Sequence, residues 1–437
     1  MYAAPGGCLN DRPVSPRYDA LKTVHAELLW GETVLRSEGF PEALAVCALV
    51  EEDGRVGEID VGRTLGKGAF SFVFKGTWSL SGETCALKRI SKRDVKTLRE
   101  IKNLVNEHAA LKALSAGPNL LTLQTVFASE RYLYFALEEF GAELYAYTKT
   151  RPDGLPTAFA AGILNGVANG LAFMHANEYA HRDIKPENVL VSVRGDAAGY
   201  GDVAVKLCDM GLCVRLERAE FVSPYTVVRT LDAERMRVLG SGLEDELKLK
   251  YEPLHQICGS MGFFSPEMLD HAGYDGRESD VWSMGCLALE LVLGSALFSR
   301  FWFEAFKSFF TGQPSRRAGA AEGEAFRAAL APRLAIVRPR GDARDGGAGD
   351  AAAAAAAVAR ARAVSRVAGD CLDPTARSRP SAAAARDALA AAYADRGAGG
   401  AAAAALPSLE RSRGGDAPAR PMDFGTSFRR LLGGGAK

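Results

Sequence analysis

Two kinds of periodicity divide the chain. From Ile59 to about Leu114, short apolar runs alternate with polar positions, notably Ser71–Trp78 and Cys85–Ile90, and each reads as a β-strand with one packed face. A charged and apolar stretch, Val95–Leu114, follows at helical spacing. Residues 120–311 carry the 3.6-residue period, most clearly over 156–176 and 279–294, and Val203–Cys208 is a short apolar strand among them. The pattern predicts an α+β protein of two lobes, a small sheet-rich one with a single main helix and a larger, mainly α-helical one.

Outside these regions the pattern weakens. A helix is expected around 19–36, where Leu21, Val24, Leu28 and Leu35 share one face, without an assignable role. Between about 313 and 365 the composition collapses into Ala, Gly, Arg and Asp, with seven consecutive alanines at 351–357. Such low complexity reads as an insertion, part flexible and part Ala-driven helix. Ordered helix is expected to resume near Val364 and run to about Tyr393, and the tail from about Gly397 is expected to be disordered.

Composition adds exclusions. At 48% hydrophobic and 24% charged, 437 residues can build a sizeable core, which excludes a wholly disordered chain. Lys plus Arg and Asp plus Glu are 53 each, so no whole-molecule attraction to nucleic acid or an anionic membrane is expected. The eight cysteines are scattered singly, with no C-x-x-C pair, and read as reduced thiols. No basic segment followed by an apolar run opens the chain, and no stretch reaches the roughly 20 apolar residues of a membrane span. A cytoplasmic or nuclear setting is the expectation.

The candidate chemistry lies in four places. Leu65-Gly-Lys-Gly-Ala-Phe-Ser-Phe-Val73 is a glycine-rich turn between two strands, where Gly66 and Gly68 let backbone N–H groups approach phosphate oxygens. Lys88 follows in the next strand and Glu107 in the helix after it, an arrangement suited to holding α- and β-phosphates. His181-Arg-Asp-Ile-Lys-Pro-Glu-Asn188 concentrates three groups in one loop: Asp183 to accept a hydroxyl proton, Lys185 to steady a transferring phosphoryl group, and Asn188 to hold a cation. The strand Val203–Cys208 then ends in Asp209-Met-Gly211, which offers a second metal carboxylate.

Over about residues 59–393 these motifs resemble the eukaryotic protein kinase family, serine/threonine class. The resemblance continues through Cys258-Gly-Ser-Met-Gly-Phe-Phe-Ser-Pro-Glu267, similar to the family's APE segment, and Asp280-Val-Trp-Ser-Met-Gly285, similar to the buried helix that anchors the catalytic loop. It implies the two-lobed kinase fold, with an N-lobe at 58–140, a C-lobe at 141–395, an extension at 1–57 and a tail at 396–437. It also implies ATP and Mg²⁺ as cofactors and proteins with Ser or Thr acceptors as substrates. Adenine would bond the backbone of Glu138 and Phe140 with Leu137 as gatekeeper, and Val73, Ala86 and Leu190 would sandwich the ring. Asn188 and Asp209 would bind the metal. Ile257, Met261 and Phe264 would form an apolar pocket for the residue after the acceptor, and Glu187 and Glu290 fall where basophilic relatives read upstream arginines. The late arginine that pairs with Glu267 is Arg377 or Arg379.

Some positions depart from the family pattern. Ser71 replaces a loop glycine, Ser265 the Ala of APE, and Met210 the Phe whose packing between Leu111 and His181 helps set the active state. A pseudokinase or scaffold acting through its insertions is the alternative reading. The tail copy Asp423-Phe-Gly425 follows the catalytic loop by 240 residues and is read as coincidence. The segment Asp209–Glu267 spans 59 residues, and Gln256 stands where many relatives carry a phosphorylated Thr. Arg182 would then pair with a phosphate on Thr226, Thr230 or Tyr251, or with Glu252, or activation does not use it.

Overall fold

The computed structural model describes residues 51–193, 203–216, 254–302 and 351–394, less short breaks (53, 69–70, 96–97, 116, 130, 255–257, 261, 264, 270–272), together with residue 328. Its first lobe is a seven-stranded antiparallel sheet and one long helix. The strands are β1 (Glu51–Glu52), β2 (Arg55–Val56), β3 (Ile59–Lys67), β4 (Ser71–Trp78), β5 (Thr84–Ser91), β6 (Leu123–Ala128) and β7 (Tyr132–Glu138), in the order β1-β2-β3-β4-β5-β7-β6. Helix α1 (Leu98–Leu114) leads from β5 to β6.

Strand alternation sorts the side chains of this sheet between its two faces. Cys85 and Leu87 of β5 join Tyr134 and Ala136 of β7 in an outer cluster with Val56 and Ile59. Ile90 belongs, with Leu133, Phe135 and Leu137, to the main core shared with the second lobe, and Ala86 packs against it. The register pairs Val73 with Lys88 and Ala86 with Leu137. Directly paired residues share a face, so Val73, Ala86, Lys88 and Leu137 all point toward the cleft between the lobes.

The second lobe is built on two helices buried nearly all round, α3 (Thr157–Ala176) and α4 (Gly276–Leu293). Each Leu, Ile or Phe they bury is worth about 1.5–3 kcal/mol. Helix α3 is long and apolar enough to cross a bilayer, a stretch the sequence reading passed over. Its surface is covered instead by other elements of the lobe, chiefly α6 (Ala382–Ala394), α5 (Ala351–Cys371), α4 and strand β11 (Val203–Leu207). Helix α5 begins at Ala351, thirteen residues ahead of the expected Val364. The alanine run supplies intrinsic helix propensity, while Ala361, Val364, Val367, Ala368 and Cys371 supply the buried face.

Between the lobes lie β8 (Ala142–Glu143), the short helix α2 (Leu144–Lys149), β9 (Tyr179–Ala180), β10 (Val189–Val193) and β12 (Val214–Arg215). Strands β11, β10 and β8 form a small antiparallel sheet, and β9 pairs with β12. The loop from Ala180 to Val189 and the turn after β11 are thereby set side by side beneath the first sheet. The expected helix at 19–36, residues 217–253 of the long Asp209–Glu267 segment, and the tail fall outside the described residues.

Candidate active site

The upper wall of the cleft is organised by charge. Lys88 Nζ lies 2.5 Å from Glu107 Oε1 and 3.3 Å from Asp209 Oδ1, linking β5, α1 and the turn after β11. Burial disfavours the Lys88 ammonium, but Glu107 and then Asp209 outweigh it and hold its pKa above the ordinary lysine value. The Lys88 charge in turn holds the Asp209 carboxyl below the usual carboxylate range. Glu107 is buried, whereas half of the Asp209 side chain remains exposed to the cleft. Leu65 and Gly66 lie at the end of β3, and the Gly68 N–H closes the turn on the Ser71 carbonyl at 2.8 Å. A Cβ at Gly68 would fall 2.7 Å from Ser71 Oγ, a contact that rotation of the serine side chain would relieve.

The floor is organised by buried hydrogen bonds. Asp280 of α4 is fully buried and accepts from the backbone N–H groups of His181 at 2.8 Å and Arg182 at 2.6 Å, and its Oδ2 lies 2.9 Å from His175 Nε2. These bonds hold Arg182 at φ +65°, a strained value for a non-glycine residue, and turn Asp183 into the cleft. Asn188 Nδ2 donates to the Asp183 carbonyl at 2.8 Å and to Oδ2 at 2.9 Å. Lys185 Nζ sits 2.8 Å from that same Oδ2, while Ser260 Oγ donates to Oδ1 at 2.8 Å. Lys185 also donates to Ser260 at 2.7 Å. Burial works against the Lys185 charge, but the Asp183 carboxylate outweighs it and raises the lysine pKa. Ser260 reaches this cluster because Gly259 has φ +98° and passes so near the catalytic loop that a Cβ would lie 2.7 Å from the Arg182 carbonyl.

The turn carrying Asp209 is tied to the same floor. His181 Nε2 lies 3.1 Å from the Cys208 carbonyl, and Asp209 has φ +58° with its side chain accepting from Gly211 N at 3.4 Å. Met210 is buried in the core cluster that contains Leu111, so the apolar place expected for it is filled. Ser265 is buried and donates to Ser279 at 3.0 Å.

The structure selects Arg379 as the partner of Glu267, with two bonds of 2.6 and 2.9 Å. Arg377, named first from the sequence, is not that partner. The turn Ala376–Ser378 rotates Arg379 inward, where it also bonds the Asp373 carbonyl and lies over Trp282. Ile257, Met261 and Phe264 lie outside the described residues, as do Thr226, Thr230, Tyr251, Glu252, Gln256 and Asp423.

Three contributions escaped the sequence reading. The Glu138 side chain accepts from Thr122 N at 2.7 Å and pairs with Lys206 of β11, pinning the strand between the lobes from below. Glu143 joins Glu187 and Glu290, both named from the sequence, in an acidic rim near the catalytic loop, where burial and then Glu187 push the Glu143 carboxyl up. Burial and then the Glu187 charge likewise push Glu290 up to about 7. Tyr274 is buried with its hydroxyl 3.7 Å from Cys258 Sγ. All three depend on contacts between distant segments, which periodicity does not report.

The sheet-and-helix lobe, the helical lobe and a cleft lined by Lys88, Asp183, Asn188 and Asp209 define the two-lobed kinase fold. The protein kinase domain model matches residues 59–388, and the chain belongs to that family. CBL-interacting serine/threonine-protein kinase 16 of Arabidopsis thaliana is 30% identical over 236 residues, 54% of this chain and 44% of that protein. CBL-interacting protein kinase 20 of Oryza sativa subsp. japonica is 32% identical over 240 residues, covering 54% and 44%. The Aurora kinase of Candida glabrata is 30% identical over 238 residues, covering 54% of each. The chain spans about half the length of these curated relatives.

Proposed function

We propose that the chain transfers the terminal phosphoryl group of ATP to serine and threonine hydroxyls of protein substrates. The observation that carries this reading is the meeting in one cleft of the Lys88–Glu107–Asp209 charge cluster and the Asp183–Lys185–Asn188 cluster, with Ser260 bonded to both Asp183 and Lys185. Lys88 is charged and aimed into the cleft beneath the glycine-rich turn, where it would hold the phosphates. The ring of the nucleotide would lie between Val73, Ala86 and Leu190, beside Leu137, against the backbone of Glu138 and Phe140.

The residues also fit Mg²⁺. Asp209 offers carboxylate oxygens on the cleft side, and Asn188, whose Nδ2 is directed at Asp183, has its carbonyl oxygen available to a hard cation. Bound there with the nucleotide, Mg²⁺ supplies neutralisation of phosphate charge. Asp183 accepts the acceptor's hydroxyl proton as the new O–P bond forms and the bond to the ADP leaving oxygen breaks. Lys185, already beside Asp183, offsets charge on the group in flight.

Several finer readings belong to this proposal. Apolar Ile257, Met261 and Phe264 favour a hydrophobic residue after the acceptor, worth on the order of 1–2 kcal/mol. The Glu143, Glu187 and Glu290 rim favours arginine before it. The domain spans 58–395, and a cytoplasmic or nuclear setting suits the six unpaired cysteines among the described residues. Buried Met210 gives the scaffold alternative no support. The test is ATP consumption with a generic basic protein as acceptor. Wild type should be active only with Mg²⁺, and Asp209→Asn should be silent. Equal turnover with and without the metal would refute the assignment.

A further inference from the structure

We propose that residues 1–50, the extension that runs into β1, pack on the outer face of the first-lobe sheet as its covering layer and, through the strands beneath, support the nucleotide side of the cleft. The support of the nucleotide side rests on the kinase reading above; the packing does not.

The outer face is buried without a described cover. Register pairs Phe74 with Leu87 and Leu87 with Ala136, and further along the same face Arg89 with Tyr134 and Tyr134 with Phe127. Cys85, Leu87 and Ala136 are 0% exposed and Tyr134 is 1% exposed. Yet every described residue in the cluster around them belongs to strands β2 to β7 of the sheet itself. Helix α1 serves the opposite face, with Ala110, Leu111 and Leu114 in the main core. Neighbours within a sheet shield the flanks of a side chain and leave its outward end to water, so a face buried this far needs a second layer about 10 Å away. The Arg89 guanidinium lies over Phe74 and Tyr132 at 4.6 and 4.7 Å, but it closes only the end of the face where its paired residue Phe72 stays 40% exposed.

Connectivity selects the occupant. The long stretches that follow Leu216, Trp302 and Ala394 leave the chain in the second lobe or between the lobes. Residues 1–50 instead join at this sheet, through β1, which pairs with β2 and so with β3. Their composition suits the task. Leu21, Val24, Leu28 and Leu35 share one face of the helix expected at 19–36, and Ala43-Leu-Ala-Val-Cys-Ala-Leu-Val50 is apolar throughout. The reach also suffices. Five strands from β3 to β6, about 4.8 Å apart, make a face roughly 19 Å wide, and an 18-residue helix spans about 27 Å. The residues from 37 to 50 can bridge roughly 45 Å when extended.

The same strands carry the nucleotide residues on their other side. Val73 lies between Phe72 and Phe74, and Lys88 between Leu87 and Arg89. A layer that holds Phe74 and Leu87 in place thereby fixes where Val73 and Lys88 stand.

The test reads the native Cys85 thiol in the full chain by timed alkylation and mass spectrometry, with buried Cys286 and Cys371 of the second lobe as internal controls. Leu21→Asp combined with Leu28→Asp puts charge on the packing face, Thr23→Asp places an acid off that face, and deletion of residues 1–50 is the second variant. The double substitution or the deletion should raise Cys85 alkylation by about tenfold over both control thiols, as local uncovering requires, and Thr23→Asp should not. KM for ATP should rise about fivefold with kcat unchanged, the low end of coupling between separate sites. A rise at Cys85 no greater than at Cys286 and Cys371 in both variants overturns the inference. Loss of Cys85 protection on deleting 396–437 would make the tail the cover, and loss on diluting wild type would make a second copy the cover; either overturns it too. An uncovered Cys85 with unchanged KM overturns the support of the nucleotide side. If wild type transfers no phosphoryl group, the kinase reading fails, and Cys85 alkylation still decides the packing.

Discussion

The two walls of the cleft are held by different physics. The upper wall depends on long side chains meeting across elements: Lys88 from β5, Glu107 from α1 and Asp209 from beneath, with Asp209 half exposed. Its geometry rests on mutual charge, and an anion bound beside it would alter that balance directly. The floor depends on a buried carboxylate bonded to backbone N–H groups, with Asp280 fully enclosed. Those bonds form when α3 and α4 pack. The contrast teaches that the nucleotide side is adjustable by electrostatics and the acceptor side is fixed by folding. Substitutions on the floor should therefore cost stability and activity together, and those on the upper wall chiefly activity.

Asp280→Ala gives the largest expected effect. It leaves two backbone donors and His175 without their buried acceptor, so unfolding free energy should fall by about 3 kcal/mol or more and phosphoryl transfer should be lost. Chemical denaturation and a turnover assay would show both, and an unaltered denaturation midpoint would break the comparison. Lys88→Met should reduce transfer by roughly 10²–10³-fold, the scale for removing one preorganised charge contact. It should leave the far-UV spectrum and the cooperativity of melting intact but lower Tm, because buried Glu107 loses its cation.

A pair of arginines sharpens the point within the C-lobe. Arg379→Ala strands Glu267 and should cost about 3 kcal/mol, whereas Arg377→Ala should stay within about 0.5 kcal/mol. Equal costs at the two positions would contradict the pairing. A pH-dependent effect is expected at Glu290. Its folded pKa of about 7 lies above the ordinary 4.5, so its contribution to stability is present below about pH 4.5 and lost as pH rises through 7. Glu290→Gln should raise Tm by roughly 2–4 °C at pH 8 and leave it unchanged at pH 4. For peptides with an upstream arginine, KM should fall as wild-type Glu290 ionises between pH 6 and 8, and the glutamine variant should lose that dependence.

Much of this arrangement was legible in the chain. Strand-like runs such as Ser71–Trp78 and Cys85–Ile90 marked the sheet, and Lys88, Asp183, Asn188 and Asp209 stand in motifs that resemble those of the protein kinase family. Other features were hidden for identifiable reasons. Arg377 and Arg379 are two residues apart in an irregular turn, and no periodicity tells which faces inward. The start of α5 lies in an alanine run, where helix propensity is high but the apolar contrast that marks a packed helix is missing. Helix α3 was expected from its period over 156–176, but only the elements packed around it show that so apolar a helix is a core helix. Lys206 acts on Glu138, 68 positions away, through a contact that exists only after folding.

The central claim is that this cleft transfers phosphoryl groups to hydroxyls with Asp183 as the proton acceptor and Asp209 as the metal carboxylate. The most direct measurement is phosphoamino-acid analysis of an acceptor protein incubated with labelled ATP and wild type, Asp183→Asn, Asp209→Asn or Asp423→Asn. The account predicts phosphoserine and phosphothreonine from wild type and Asp423→Asn, and none from the other two. Undiminished labelling by Asp183→Asn or Asp209→Asn, or its loss in Asp423→Asn, would contradict it.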